Sequence, residues 1–275
     1  MESMTLGISS CPNDTYIFHA LFAGLVPSPV PLAMHMADVE ELNHLALARA
    51  LPMSKVSLGV VPEIMDEYAL FSSGAALGWG CGPLVVARTP LDAQARAQAR
   101  IATPGEHTTA NLLLTLTGQF QGRREAMLFS DVMPAVKAGR ADAGVIIHEG
   151  RFTFEKEGLV KLLDLGQWWE EAYHAPLPLG VIVVRRDVAV GIALAMQEAI
   201  AQSLRYAHAH PEAGRSFIQS HAQELAPSVI DAHIATFVTD FSMDLGEQGK
   251  NAITMLVQKA AQAQGRQLPA AGLFV

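Results

Sequence analysis

The hydrophobic pattern changes character about two thirds of the way along the chain. Up to that point, short apolar runs alternate with segments whose apolar residues recur every three or four positions. "MTLGIS" (Met4–Ser9) predicts a strand and "DTYIFHALFAG" the helix after it. "LAMHMAD" predicts a second strand, and "DVEELNHLALARA" a helix with Asp38 as its N-cap. "KVSLGVV", "GPLVVAR", "RIATP", "AMLFS" and "DAGVII" read as further strands. This alternation predicts an α/β fold on a mostly parallel sheet covered by helices. After a last strand, "PLGVIVVRRD", the pattern is helical from Val188 to Gln264. "AVGIALAMQEAIAQSLRYAHAH" predicts one long helix stopped near Pro211, and "AQELAPSVIDAHIATFVTDF" and "EQGKNAITMLVQKAAQAQ" two more.

Two predicted strands, Pro83–Arg88 and Leu179–Arg186, each end in a charged turn, and the residues between them form an αβ set of their own. That layout predicts two lobes: residues 1–87 with 184–275, and an inserted lobe over 88–183. Proteins so built bind ligands in a crevice outside the carboxyl ends of the strands.

Composition narrows the function classes. The 275 residues suffice for two lobes with real cores, and half are hydrophobic against 17% charged. A net charge of −8 excludes a nucleic-acid binder, which needs a basic stripe, and the 19 Lys and Arg form no polybasic membrane patch. "MESMTLGISSCPND" has neither a basic n-region nor a long apolar h-region, and no uninterrupted apolar run is long enough to span a bilayer. Cys11 and Cys81 have no C-x-x-C spacing. A cytoplasmic protein is expected.

Four strand ends are unusually polar and carry the candidate chemistry. In "SSCPNDT", Ser9, Asn13 and Asp14 lead into a helix. Asn13 or Asp14 either caps that helix or faces the crevice, and Cys11 reads as a small buried filler. In "SKVSLG", Lys55 and Ser57 share one face of a strand; Lys55 is either solvated or, in a cleft, a point charge for a carboxylate. In "ATPGEHTTANLLL", Thr108 and Thr109 open an apolar helix, which makes an anion site suited to a carboxylate. In "GVIIHEGRF", His148 follows a branched apolar run where the strand ends. It is either a core histidine bonded to backbone or a base aimed into the crevice. Asp38 and Asn43 are further residues that either touch ligand or serve their helix. "GWGCGP" is not followed by a helix, so Gly80 and Gly82 read as a tight turn bringing backbone near the ligand rather than as a dinucleotide loop. No metal site is expected: Phe152 stands where a zinc-binding helix would place a second histidine after His148, and His208-x-His210 lies at a helix end.

Together "SSCPNDTYIFHAL", "DVEELNHLAL", "LPMSKVSLG", "GPLVVAR", "PGEHTTANLLL" and "VIIHEGRFTFEKEGLVKLLDLGQWWEE", with "HPE", "HAQEL" and "LFV" near the end, resemble the 1,4-dihydroxy-6-naphthoate synthase family of the futalosine route to menaquinone. The resemblance runs over nearly the whole chain. It implies the two-lobed fold of the type 2 periplasmic binding proteins, used as a cofactor-free carbon–carbon lyase that opens cyclic dehypoxanthine futalosine. It also implies His148 as proton acceptor, with substrate contacts at Lys55, Val56, Ser57, Thr108 and Thr109. Ser54 departs from the threonine expected in the family's L-P-x-T-K stretch, and keeps a hydroxyl. The implied partner is a carboxylated small molecule, with the chain a monomer or homodimer. Two other readings share the fold: a receptor for a small carboxylate, disfavoured by the missing signal peptide, and the chorismate dehydratase of the same route.

Overall fold

In the computed structural model, which describes residues 3–222 and 226–275, the chain divides into two compact units, Met1–Gly78 with Pro178–Val275, and Trp79–Leu177. The first stretch of the chain contributes β1 (Met4–Ile8), α1 (Pro12–Phe22), β2 (Leu32–Met36), α2 (Val39–Leu47), β3 (Met53–Ser57), α3 (Val61–Ile64), β4 (Tyr68–Leu70) and β5 (Ala76–Gly78). The second unit holds β6 (Leu84–Ala87), α4 (Ala93–Gln98), β7 (Ile101–Thr103), α5 (Thr109–Thr117) and β8 (Arg124–Ala126). These are followed by α6 (Phe129–Lys137), β9 (Ala143–Ile146), α7 (Gly150–Thr153), β10 (Val160–Asp164) and α8 (Leu165–Tyr173). The chain returns through β11 (Leu177–Arg185) to α9 (Val190–Ala209), α10 (Arg215–His221), α11 (Pro227–Phe237), α12 (Asp240–Met243) and α13 (Gly246–Ala263).

The first sheet has the order β2-β1-β3-β11-β4, with β5 also on β11. In β1, Leu6 and Ile8 point to one face and join Ile17 and Leu21 of α1 and Met196, Ile200 and Leu204 of α9 in a single core. The spacing of four along α9 and of two along β1 is what puts those residues together. Ser203 ties the two helices: its hydroxyl donates to the Ile17 carbonyl at 2.6 Å and accepts from the Leu21 amide at 3.2 Å. The second sheet has the order β10-β6-β9-β7-β8 and its own core, which includes Val86, Ala102, Val132, Val136 and Ile146.

Neither sheet is mostly parallel. β1 runs parallel to β2 and β3, and β7 to β8 and β9, but β11 is antiparallel to β3 and β4, and β6 to β9 and β10. β6 opens the second unit and β11 leads back to the first. Neither is joined to the strand beside it by a βαβ crossover, the connection that enforces parallel pairing. Other boundaries also differ from the sequence pattern. Only Ala126 of "AMLFS" is strand, the last residue of β8, because α6 begins at Phe129. "KVSLGVV" is strand only to Ser57, after which Val61–Ile64 turns helical. "AQELAPSVIDAHIATFVTDF" divides into α11 and α12, with residues 223–225 outside those described. Among the described residues, no helix is long and apolar enough to cross a membrane.

Candidate functional site

In the first unit, the parallel register of β1 with β2 and β3 (Ile8 against Met36, Gly7 against Ser54) places Ser9, the start of α1, Asp38 and Ser57 at one edge of the sheet. Asp14 is the centre of this group. Its Oδ2 accepts from the Ser9 amide at 3.2 Å and the Ser9 hydroxyl at 2.7 Å, and its Oδ1 accepts from Asn13 Nδ2 at 2.9 Å. Lys55 Nζ lies 3.0 Å from the same Oδ1 and donates to the Gly74 carbonyl at 3.2 Å. Lys55 is therefore not solvated: it is buried, and an internal carboxylate balances its charge. Gly180, beside it on β11, leaves room for the stem, since a Cβ there would lie 3.0 Å from Lys55 Cε.

Neither Asn13 nor Asp14 caps α1. Pro12 takes the first helical turn and Cys11 is the N-cap residue, because proline's fixed φ and missing N–H suit that position. Asn13 is left to bridge: it donates to Asp14, and its Oδ1 sits 2.9 Å from Nε2 of His233, a fully buried residue of α11. Sequence reasoning missed His233, since one histidine on the apolar face of "VIDAHIATF" carries no mark of a partner 220 residues away. Asp38 does cap α2, accepting from the Glu40 amide at 2.8 Å.

Asn43, fully buried, grips the end of β3 twice. Its Oδ1 accepts from the Ser57 amide at 2.9 Å, and its Nδ2 donates to the Ser57 hydroxyl at 3.2 Å. The Ser57 oxygen thus acts as acceptor toward Asn43, which leaves the hydroxyl hydrogen to be given elsewhere. Val56, between Lys55 and Ser57, is fully buried and registers against Val181.

In the second unit, β7 and β9 pair in parallel, Ala102 against Gly144, so the segments that follow them emerge at one edge of the sheet. After β7 comes the start of α5. Thr108 is its N-cap, with a hydroxyl that accepts from the Asn111 amide at 3.3 Å and donates to the Gly105 carbonyl at 3.2 Å; Thr108 and Thr109 are both buried. After β9 comes His148, two residues beyond the strand, half-buried and with φ of +53°. That left-handed conformation is costly for a residue with a Cβ. Its ring meets Phe129, the first residue of α6, edge-on at 4.9 Å between centroids. Glu149 behind it is buried.

The antiparallel pairing of β6 with β9, Leu84 against Ile146, brings Gly80 and Gly82 to the same edge. The close backbone approach at Gly82 is to Gly166: a Cβ on Gly82 would lie 2.2 Å from the Gly166 Cα and N. The Gly80 amide donates to Glu170 Oε1 at 2.6 Å. Between the two glycines, Cys81 is buried, and burial first, then the nearby Glu170 charge, pushes its thiol from 9.0 up to about 12. It is no nucleophile. Cys11 is also buried, as its reading as a filler implies. His208 and His210 lie exposed at the end of α9.

The class is set by the structural neighbours of these two mixed sheets: an α/β protein of the periplasmic-binding-protein fold. The ligand-binding component of an ABC-type import system from Staphylococcus aureus matches with a TM-score of 0.72 at 14% identity, covering 100% of this chain and 96% of that one. The family profile described as menaquinone biosynthesis matches residues 4–262. Proteins named 1,4-dihydroxy-6-naphtoate synthase from Thermus thermophilus and Streptomyces coelicolor are 48% and 41% identical to this chain, over 98% of it and 97% and 96% of their own lengths. The chain belongs to this menaquinone biosynthesis family.

Proposed function

We propose that the chain catalyses the reaction its relatives are named for, as a cytoplasmic, cofactor-free lyase that forms 1,4-dihydroxy-6-naphthoate from cyclic dehypoxanthine futalosine. One observation carries the residue assignment: His148 and the Thr108–Thr109 helix start emerge at the same edge of one sheet, from the parallel strands β9 and β7.

The roles follow from the chemistry each group can offer. The start of α5 presents backbone N–H groups and Thr109 to an anion, which suits the substrate's carboxylate, while the Thr108 hydroxyl, given to the Gly105 carbonyl, fixes the cap. Ser57, held by Asn43, donates its hydroxyl hydrogen to a substrate oxygen. Lys55, matched by Asp14, ties β3 to the start of α1 and so holds the strand that carries Ser57. His148 takes a proton from a hydroxyl, or from the carbon beside it. Once the hydroxyl is deprotonated, its electrons form a C=O as the adjacent C–C bond breaks in a retro-aldol-type cleavage. The electron pair of that bond passes to the remaining ring system as an enolate, which takes the proton back from His148, and a small sugar-derived carbonyl fragment leaves. Enolisation of the remaining rings gives the aromatic naphthoate, and aromatisation makes the reaction downhill. A positioned base contributes about 10²–10⁴ in rate.

The test is incubation of the purified protein with cyclic dehypoxanthine futalosine, following the naphthoate by absorbance and mass. Turnover is expected. Tight binding with no product would make the chain a receptor instead.

A further inference from the structure

We propose that Arg151 is a positioning residue for His148, acting through the turn that both residues share. The inference rests on the reading of His148 as the base. In the "HEGRF" stretch the reaction itself calls on no role for Arg151, and its side chain does not point to solvent. Its guanidinium forks: Nη1 donates to the Gly82 carbonyl, and Nη2 donates to Asp164 Oδ2 at 3.1 Å. Its side chain is 18% exposed and that of Asp164 10%, so water screens the pair only weakly.

Each end of this clamp is fixed by something else. The other oxygen of Asp164, Oδ1, caps α8, accepting from the Gly166 and Gln167 amides at 3.0 Å each. Gly82 lies against Gly166, which only two facing glycines allow, and the Leu165 amide donates to the Pro83 carbonyl at 2.9 Å. The start of β6 and the start of α8 are therefore one rigid seat. Arg151 bonds to both halves of it.

The clamp reaches His148 through very little chain. Arg151 lies within α7, a single turn over Gly150–Thr153, and its amide donates to the His148 carbonyl at 3.3 Å. A helix of one turn has no cooperative stability of its own. His148 just before it sits at φ +53°, a conformation that persists only when its surroundings impose it. From the catalytic side the Phe129 ring holds the imidazole edge; from the other side the Arg151 fork holds the backbone. Without the fork, the turn is free to relax toward right-handed backbone, which would swing the imidazole away from its position.

Steady-state kinetics of Arg151→Met, Arg151→Lys and Asp164→Asn in the full chain, each beside its thermal melt, test this. Arg151→Met is expected to lower kcat at least about tenfold with KM changed less than about threefold, since the base is displaced while the substrate contacts remain. Arg151→Lys is expected to recover part of the loss, because an ammonium keeps the charge facing Asp164 but cannot fork to Gly82 as well. If Arg151→Met does not fold, Asp164→Asn serves in its place, keeping a capping oxygen while losing the charge, with the same split expected. His148→Asn run alongside separates the two ideas. Retained turnover in that variant sinks the base reading itself. An inactive His148→Asn with unchanged kcat in the arginine and aspartate variants overturns the positioning role alone. So does a loss that raises KM as kcat falls, or that merely follows the unfolded fraction.

Discussion

Lys55 Nζ lies 3.0 Å from Asp14 Oδ1 with side chains 6% and 1% exposed, so the middle of β3 and the start of α1 are joined by a buried ion pair. The Asp14 carboxylate also takes both donors of Ser9 and the Asn13 amide, so every group facing it is satisfied. Such a pair adds little net stability over an apolar pair, but breaking it from one side is severe, because the other charge stays buried. Asp14→Ala is expected to cost about 3–5 kcal/mol in urea unfolding. The double variant Asp14→Leu/Lys55→Met should cost clearly less than the sum of its single changes. Additive losses would show that the two groups do not depend on each other.

The Gly82–Gly166 contact makes a sharp steric prediction. Gly82→Ala places a methyl 2.2 Å from backbone atoms that cannot move aside, and is expected to cost about 3 kcal/mol or more. Gly158→Ala is the control. It has a φ of +74° but nothing within 4 Å of an added Cβ, so only the left-handed backbone opposes it, at about 1–2 kcal/mol. Thermal melts of the two variants should rank in that order.

Cys81 gives a pH dependence with a definite sign. Its thiol sits at about 12 in the folded protein against 9.0 when unperturbed, because burial disfavours the thiolate. Below pH 9 neither state ionises there and the contribution to stability is intact. Between about pH 9 and 12 the unfolded chain releases the proton first, so stability falls as pH rises. Cys81→Ala should show a shallower alkaline loss of melting temperature than the parent. The folded protein should also leave Cys81 unmodified by iodoacetamide at neutral pH, where a thiolate is needed for attack. Rapid labelling of Cys81 in the native state would contradict this account.

Asn43 should matter through Ser57. Asn43→Leu removes both bonds to Ser57 while keeping roughly the same volume, and leaves the Ser57 amide buried and unsatisfied. A cost of about 1–3 kcal/mol is expected for the amide alone. If Ser57 holds substrate, KM should rise as well. Unchanged KM in a folded Asn43→Leu protein would remove Ser57 from substrate binding.

Much of this architecture is legible in sequence because it is local. Period-two and period-four spacing announce β1, β9, β11 and α9, and Asp38 reads correctly as a cap because a cap is set by the residue and its next three neighbours. β4 and β5 escape because three residues leave no period to detect. "AMLFS" misleads because an apolar run looks alike at the end of a strand and the start of a helix, and Phe129 belongs to the helix. The cap at Asn13 or Asp14 fails because Pro12 moves the helix start two residues back. What no local pattern can show is partnership at a distance: Lys55 with Asp14, Asn43 with Ser57, His233 with Asn13, Arg151 with Gly82. In each case the fold alone decides whether a polar residue meets water, ligand or another side chain.

The central claim is that His148 is the base. Asparagine tolerates left-handed backbone better than other side chains with a Cβ, so His148→Asn can keep the φ of +53° while removing the titrating group. The decisive measurement is kcat of His148→Asn against wild type on cyclic dehypoxanthine futalosine, with melting temperatures taken on the same samples. A fall of at least about a hundredfold with the melting temperature held is the predicted result. A kcat within about threefold of wild type would contradict it and return His148 to the role of a structural histidine at a strained turn.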